Sequence, residues 1–363
     1  MKQLLLLGGG HAHAFVLRSL AGAPIDVVRI TLVTPHRHHL YSAMLPGLVA
    51  GHYALGDCVI DLARLAARAS ATVVYDRVSG LDPLRRMARL ERGGELEYDL
   101  ASLNLGSLPN IGAVPGAAEH AFAAKSFERF VAAWEALRAR GRSQTLRIAV
   151  AGGGAAAVEL AMAMARALAA GGRAGEIELY ADRPAFSPRL GRCVARALAR
   201  AGVAIHPATA VDAVEPGPVV VARGERRSFD ALVWATGAAP QPWLSETGLT
   251  LDPAGFVLVD ETLRSLSHPQ VFAVGDTATL LGAARSGPGG YTVRQGAVLS
   301  RNLRRAAQDR PLESYTPQRF SLSLIHCGAR CAIASWGPLA TEGKWVWRWK
   351  DRIDRRWIAT FAS

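Results

Sequence analysis

The chain has 363 residues, of which 50% are hydrophobic, 20% charged and 7% aromatic. That is enough apolar material for about two to three domains of about 150 residues and too much for a disordered chain. The 42 Lys and Arg residues exceed the 30 Asp and Glu residues by 12, which favours an anionic partner, lipid surface or nucleic acid, without naming one.

Only Lys2, Lys125, Lys344 and Lys350 are lysines; the other basic residues are arginine. Cys58, Cys193, Cys327 and Cys331 include no C-x-x-C pair, so a zinc ribbon and a thioredoxin-type motif are both excluded. The apolar run behind Met1 is brief and flows into a glycine turn, and no 18 apolar residues follow one another. The expectation is a protein that is neither secreted nor membrane-spanning.

In chain order, residues 3–7 read as a buried strand, followed by Gly8-Gly9-Gly10-His11-Ala12-His13 and a helical pattern through Val16, Leu17 and Leu20. In such a turn the first glycine permits the bend and the second lets backbone amides approach a pyrophosphate. The helix N-terminus adds partial positive charge. The third position, where Gly or Ala is usual, holds His13. After a second strand at residues 28–33, Thr34-Pro35 stands where an acidic residue would bind a ribose. His11, His13, His36, His38 and His39 lack the spacing of a ligand set, so no metal is expected.

The plan then repeats. A strand at residues 147–150 leads into Gly152-Gly153-Gly154-Ala155-Ala156-Ala157, a helix through Leu160 and Met164, and a strand at 176–181. Glu159 lies on the first helical turn. It either complements the helix dipole or faces the nicotinamide of a bound dinucleotide. Asp182 would favour ribose hydroxyls and Arg183 a 2′-phosphate, so the choice between NADH and NADPH stays open. The copies also end alike, as YDLASLNLG at Tyr98–Gly106 and FDALVWATG at Phe229–Gly237.

A third strand, residues 270–274, runs into Gly275-Asp276. A Gly/Pro-rich stretch at 286–290 and a helix over 294–306 follow. Between residues 344 and 356 lie six basic and two acidic residues, with Trp345, Trp347, Trp349 and Trp357 in or beside the segment. At helical spacing Val346, Trp349, Ile353 and Trp357 form one stripe, opposite Arg348, Arg352 and Arg355. The stripe faces either anionic lipid or the protein's own core, and both readings stand. Nucleic acid is not expected, because the arginines and aromatics match no reading motif.

The order of these landmarks resembles the flavoproteins with two dinucleotide folds, and among them the type II NADH dehydrogenase-like branch. The landmarks are GGGHAH, HLYSAMLPG ahead of Gly51, GGGAAAVE, ATG, VGD and Arg294-Gln295. GGGHAH, SAMLPGLVAGHY and WKDRIDRRW are similar to a subgroup also found fused ahead of selenophosphate synthetase. The resemblance implies an α/β chain with two Rossmann-like domains, the NAD(P)H domain (116–240) inserted in an FAD domain (1–115 and 241–310), and a C-terminal region at 311–363.

It also implies FAD and NADH or NADPH as cofactors. Gly8, Gly10, Ala12 and His13 would hold the FAD pyrophosphate, Thr34 and Pro35 the adenosine ribose, and Val78 the adenine. Met44 and Leu45 would border the flavin. Leu105 and Gly106 would lie near the diphosphate, and Gly275 and Asp276 by the ribityl chain. Gly152, Gly153, Gly154, Ala155, Asp182, Thr236 and Gly237 are the remaining cofactor-binding positions. Glu159, beside the nicotinamide, and Gln295, on the quinone side, are the catalytic candidates.

The expected reaction is hydride transfer from NAD(P)H to FAD and then two electrons to a quinone. The expected location is cytoplasmic, with peripheral contact on the inner membrane face through residues 344–361; a homodimer is left open. The alternatives are a soluble reductase acting on a protein or a selenium or sulfur acceptor, and a non-catalytic flavin/NAD(H) redox sensor. No cysteine pair occurs at residues 41–51, which excludes glutathione-reductase-type chemistry.

Overall fold

The structure, a computed structural model, describes residues 1–25, 28–125, 127–172, 175–282, 290–318 and 320–362. Most of the 286–290 stretch lies outside the described residues. The first five-stranded sheet contains β1 (Lys2–Leu7), β2 (Val28–Val33), β3 (Thr72–Val74) and β4 (Leu100–Leu103). A second sheet contains β5 (Phe122–Ala123), β6 (Arg147–Ala151), β7 (Glu176–Ala181), β8 (Val203–Pro207) and β9 (Ala231–Trp234). The first sheet is then completed by β10 (Val271–Ala273).

All neighbours are parallel, in the orders β10-β4-β1-β2-β3 and β5-β9-β6-β7-β8. The second sheet thus lies in the chain between the last two strands of the first. Strands buried on both faces read as unbroken apolar runs, which is why the buried part of β1 is LLLL and β9 is ALVW.

The two copies share their hydrogen bonds as well as their sequence plan. Asp99 accepts the Gln3 N–H at 2.7 Å, and Asp230 accepts the Arg147 N–H at 2.9 Å, each fixing the start of a first strand. The Gly8 N–H donates to the Val33 carbonyl and the Gly152 N–H to the Tyr180 carbonyl, both at 2.8 Å. Helix α1 (His11–Gly22) follows the first turn, and α2 (Ala155–Ala170) the second. Helix α2 is buried nearly all round because Met44, Leu45, Ile325 and Ile333 from outside the second sheet pack in one core with it. Helix α3 (Pro188–Arg200) links β7 to β8.

Beyond the sheets, α4 (Gly290–Ala307) lies along α1, with Gly296 close against Ala12 and Phe15. An antiparallel sheet follows from β11 (Leu322–His326), β12 (Ala332–Trp336) and β13 (Leu339–Gly343), and α5 (Lys344–Ala362) closes the chain.

The stripe that α5 buries differs from the expected one. Val346, Lys350, Asp354 and Phe361 are buried, whereas Trp345, Trp349 and Ile353 are exposed. Hydropathy assigns charged residues to water, but Lys350 and Asp354 pair with each other at 2.6 Å and so enter the interior together. Trp345 and Trp349 stack outside at 6.3 Å. Among the described residues, no helix is long and apolar enough to cross a membrane.

Candidate active site

The first glycine turn is shaped by close approach. Gly8 has φ +98°, and a Cβ there would stand 2.5 Å from the Asn104 carbonyl oxygen at the exit of β4. Gly152 repeats this, with φ +135° and a Cβ position 2.5 Å from the Ala235 carbonyl oxygen at the exit of β9. The open side of Gly154 meets nothing within 4 Å, which leaves room for a phosphate to approach the backbone. Gly10 and Gly154 cap their helices without a side-chain hydrogen bond of their own, so the positive end of each helix dipole remains available to an anion.

Asn104 braces the first turn. Its Oδ1 accepts the Ala12 and His13 N–H groups at 3.1 and 3.4 Å, while its Nδ2 donates to the Val274 carbonyl. His13, in the third-glycine position, is fully buried. Its Nδ1–H donates to the Gly8 carbonyl at 2.6 Å and its Nε2 accepts from the Ser102 hydroxyl at 2.8 Å. Burial pushes its pKa down to about 4, so a neutral imidazole fills the space that a glycine would leave between strand and helix.

The remaining expected positions surround this turn. Thr34 is buried at the end of β2, its Oγ1 bonded to the His36 backbone, with Pro35 exposed beside it. Val78 starts a separate antiparallel strand. The Leu105 N–H donates to Thr277 Oγ1 at 2.9 Å, which ties the Leu105-Gly106 exit to the Gly275–Thr277 turn. Asp276 bonds Ser107 at 3.0 Å and Lys125 at 2.9 Å. Gln295 Oε1 accepts the Gly275 N–H at 2.8 Å, so α4 holds the same turn from the other side.

The two exits then meet. Asn110 donates its N–H to the Gly237 carbonyl, and its own carbonyl accepts from Thr236 Oγ1 at 3.1 Å. Residues 108–109 and 238–239 pair antiparallel. Asp182 and Arg183 sit exposed past β7, 3.6 Å apart. Gly153, under them, faces the Arg183 carbonyl.

Glu159 leaves the first turn of α2 toward the C-terminal sheet, where its Oε1 accepts the His326 N–H at 2.7 Å. Burial pushes its carboxyl up to about 7, while the Lys350 charge and the His326 N–H pull the other way. Lys350 Nζ also donates to the Ala43 carbonyl at 2.7 Å, directly before Met44. Met44 and Leu45 are buried in the core that includes Val158 and Leu160. Glu159, the Met44-Leu45 segment and α5 therefore meet in one place.

The raised carboxyl has a consequence for stability. Folded protein binds this proton more tightly than unfolded protein, so the contribution is present below the ordinary Glu value and is lost as pH rises through about 7. Glu159→Gln is expected to remove that loss. Melting curves between about pH 5 and about pH 8 should fall less steeply for the variant than for the wild type.

Asn104, Lys125, His326, Lys350 and Asp354 belong to this region without having been singled out as site residues. Asn104 carried a signal, a lone amide in an otherwise apolar exit. Lys125 and Lys350 carried another, being two of four lysines in an arginine-rich chain. A compact ammonium suits a single buried acceptor set better than a forked guanidinium does.

The family model described as pyridine nucleotide-disulphide oxidoreductase matches residues 2–300. The chain belongs to this family. Among curated relatives it is 34% identical over 124 residues to the type II NADH:quinone oxidoreductase NdhA of Mycobacterium tuberculosis, a match covering 32% of this chain and 25% of that one. An NADH dehydrogenase-like protein of the same species is 33% identical over 85 residues, 23% of this chain and 21% of that one. The matched stretches thus span about a quarter or less of those relatives' length.

The same fold is seen in the sulfide:quinone oxidoreductase of Aquifex aeolicus, with a TM-score of 0.84 at 16% identity, covering 99% of this chain and 91% of that one. NDH2 of Plasmodium falciparum in complex with NADH has a TM-score of 0.77 at 14% identity, covering 99% and 97%. The family therefore accounts for the doubled dinucleotide fold and supports a flavin together with a pyridine nucleotide.

Proposed function

We propose that the protein is an FAD-dependent NAD(P)H dehydrogenase that passes two electrons to a quinone. FAD fits the first turn: Gly8 and Gly10 let the turn close tightly on Asn104, the α1 N-terminus follows it, and His11 Nε2 is buried there without a partner among the described residues. The pyridine nucleotide fits the turn at Gly152, Gly153, Gly154 and Ala155. On this reading residues 1–115 and 241–310 form the FAD domain, 116–240 the NAD(P)H domain, and 311–363 a cover over both. When bound, FAD supplies the two-electron chemistry between hydride donor and acceptor.

The chain's own residues align the partners. The observation that carries the reading is the meeting of Glu159, near the start of the NAD(P)H-side helix, with the Met44-Leu45 segment of the FAD side. Glu159 orients the nicotinamide, and its bond to the His326 N–H fixes the carboxyl at one angle. Ser107 and Lys125 hold Asp276 toward the FAD side, and Gln295 fixes the Gly275 turn beside it. Trp345, Trp349 and Ile353 are exposed on α5 with Arg348, Arg352 and Arg356 around them. This apolar and basic face suits an anionic lipid surface, the source of a quinone.

Glu159→Ala is expected to slow anaerobic reduction of bound flavin by NAD(P)H by at least about tenfold, the loss of about 1.4 kcal/mol of alignment. The flavin content of the purified protein should not change. Stopped-flow absorbance reads both quantities, and an unaltered reduction rate removes Glu159 from the mechanism.

A further inference from the structure

NADH and NADPH differ in one group. NADPH carries a phosphate on the 2′-oxygen of its adenosine ribose, where NADH has a hydroxyl. In a dinucleotide fold a carboxylate at the end of the second strand accepts the ribose hydroxyls and repels that phosphate, whereas arginine there binds it. The residues at the exit of β7 therefore decide between the two donors.

The exits of β6 and β7 lie side by side, because Ala151 pairs with Tyr180 and the Gly152 N–H donates to the Tyr180 carbonyl. Ala181 is the last residue of β7 and stands against the glycine turn. A Cβ on Gly153 would lie 3.3 Å from the Ala181 Cβ and 3.0 Å from the Arg183 carbonyl oxygen. The strand-end side chain facing the turn is thus a methyl group, with no oxygen to accept a ribose hydroxyl. Asp182, one residue on, does not replace that oxygen. It is half exposed, and its carboxylate lies 3.6 Å from the Arg183 guanidinium, which meets its charge.

Arginines surround this strand end. The Arg183 side chain is 83% exposed. Helix α3 links β7 to the parallel strand β8, so it starts at the exit end of β7 and runs back. Arg189 and Arg192, three residues apart, share one exposed face at that start, and the first turn of α3 carries no acid. From the β8 side, Arg223 donates to the Ala208 carbonyl, next to Thr209, whose N–H is bonded to the Ala181 carbonyl. Asp212 accepts the Arg223 N–H at 2.8 Å.

We infer that the electron donor is NADPH, its 2′-phosphate bound by Arg183 and by Arg189 and Arg192 at the start of α3. The inference rests on the function proposed above and names the donor of that reaction. A phosphate offers three acceptor oxygens, which the planar forks of guanidinium groups match with paired, charge-assisted bonds. The arginines are already at the surface, so recruiting them buries no charge in advance. With NADH the same arginines face no anion, and the 2′-hydroxyl finds no acceptor at Ala181.

Adenosine 2′,5′-bisphosphate and 5′-AMP test the subsite without a nicotinamide and without turnover. In isothermal titration calorimetry of the FAD-loaded protein at low ionic strength, the bisphosphate should bind at least about tenfold more tightly than 5′-AMP. NADP⁺ should exceed NAD⁺ by at least about tenfold too, the scale of one charge-assisted hydrogen bond. Arg183→Ala combined with Arg189→Ala should abolish both preferences and leave NAD⁺ binding unchanged. Arg166→Ala, about three turns along α2 from the glycine turn, should keep them. That control separates a built subsite from the general attraction of a basic chain for phosphate. Ala181→Asp supplies the missing carboxylate and should turn the preference toward NAD⁺, a gain that damage to the fold would not produce. A wild type that binds NAD⁺ as tightly as NADP⁺ or more so, or a double variant that keeps the preference, overturns the inference and leaves the NAD(P)H reading standing. Protein that binds neither nucleotide overturns that reading, and the inference with it.

Discussion

Lys350→Met is expected to destabilise the protein by about 3–5 kcal/mol, the usual effect of removing one partner of a buried ion pair. Lys350 and Asp354 are 5% and 3% exposed and pair with each other at 2.6 Å. Asp354 already has its carboxyl raised by burial, held down by the Lys350 charge and by bonds from Lys350 and Tyr41. Without the ammonium it must bind a proton on folding or remain as a charge out of water. The Ala43 carbonyl loses its donor at the same time, so the Met44-Leu45 segment is freed where it meets Glu159. Thermal unfolding monitored by circular dichroism reads the effect, with the exposed Lys344→Met as the unaffected control. Lys350→Met combined with Asp354→Leu should recover most of the loss, because the Asp354 carboxylate is then not left in the core without its partner. A single variant as stable as the wild type would remove this pair from the account of why α5 docks.

Gly8→Ala is expected to yield protein that binds FAD at least about a hundredfold more weakly, a loss of about 3 kcal/mol. A left-handed backbone at an alanine costs about 1–3 kcal/mol by itself. The new methyl would also stand 2.5 Å from the Asn104 carbonyl oxygen. Asn104 must then shift, and with it the Oδ1 that accepts the Ala12 and His13 amides. The turn that is to meet the pyrophosphate is thus deformed from behind. Fluorescence titration of the flavin-free variant with FAD measures the change. Gly56→Ala, at a position with nothing within 4 Å of a new Cβ and no positive φ, should bind as the wild type does. Wild-type affinity in Gly8→Ala would mean that FAD is held elsewhere.

Much of the architecture was legible because both copies carry local signals. The glycine turns and the apolar strands are specified within a few residues of where they act, whereas Asp99 and Asp230 fix strand starts 96 and 83 residues away. The strands at 28–33 and 176–181 lie where their alternation with helical patterns puts them. The face of α5 was not legible, because the burial of Lys350 depends on Asp354, on Tyr41 and on a carbonyl some 300 residues away. No hydropathy pattern records such a partner. The role of His13 was hidden for a similar reason. At the third-glycine position it reads as a defect, and only its bonds to Gly8 and Ser102 show that it fills and braces the turn. Glu159 was visible as a position, but the His326 N–H that orients it comes from the other end of the chain.

The central claim is a hydride path from a pyridine nucleotide on the Gly152 turn to a flavin on the Gly8 turn. The most direct test is the visible absorbance spectrum of the purified protein, recorded anaerobically before and after addition of NADH and then NADPH. Flavin bands that bleach with one of the two nucleotides are the expected result. Protein that takes up no FAD, or flavin that stays oxidised with both nucleotides, would contradict it.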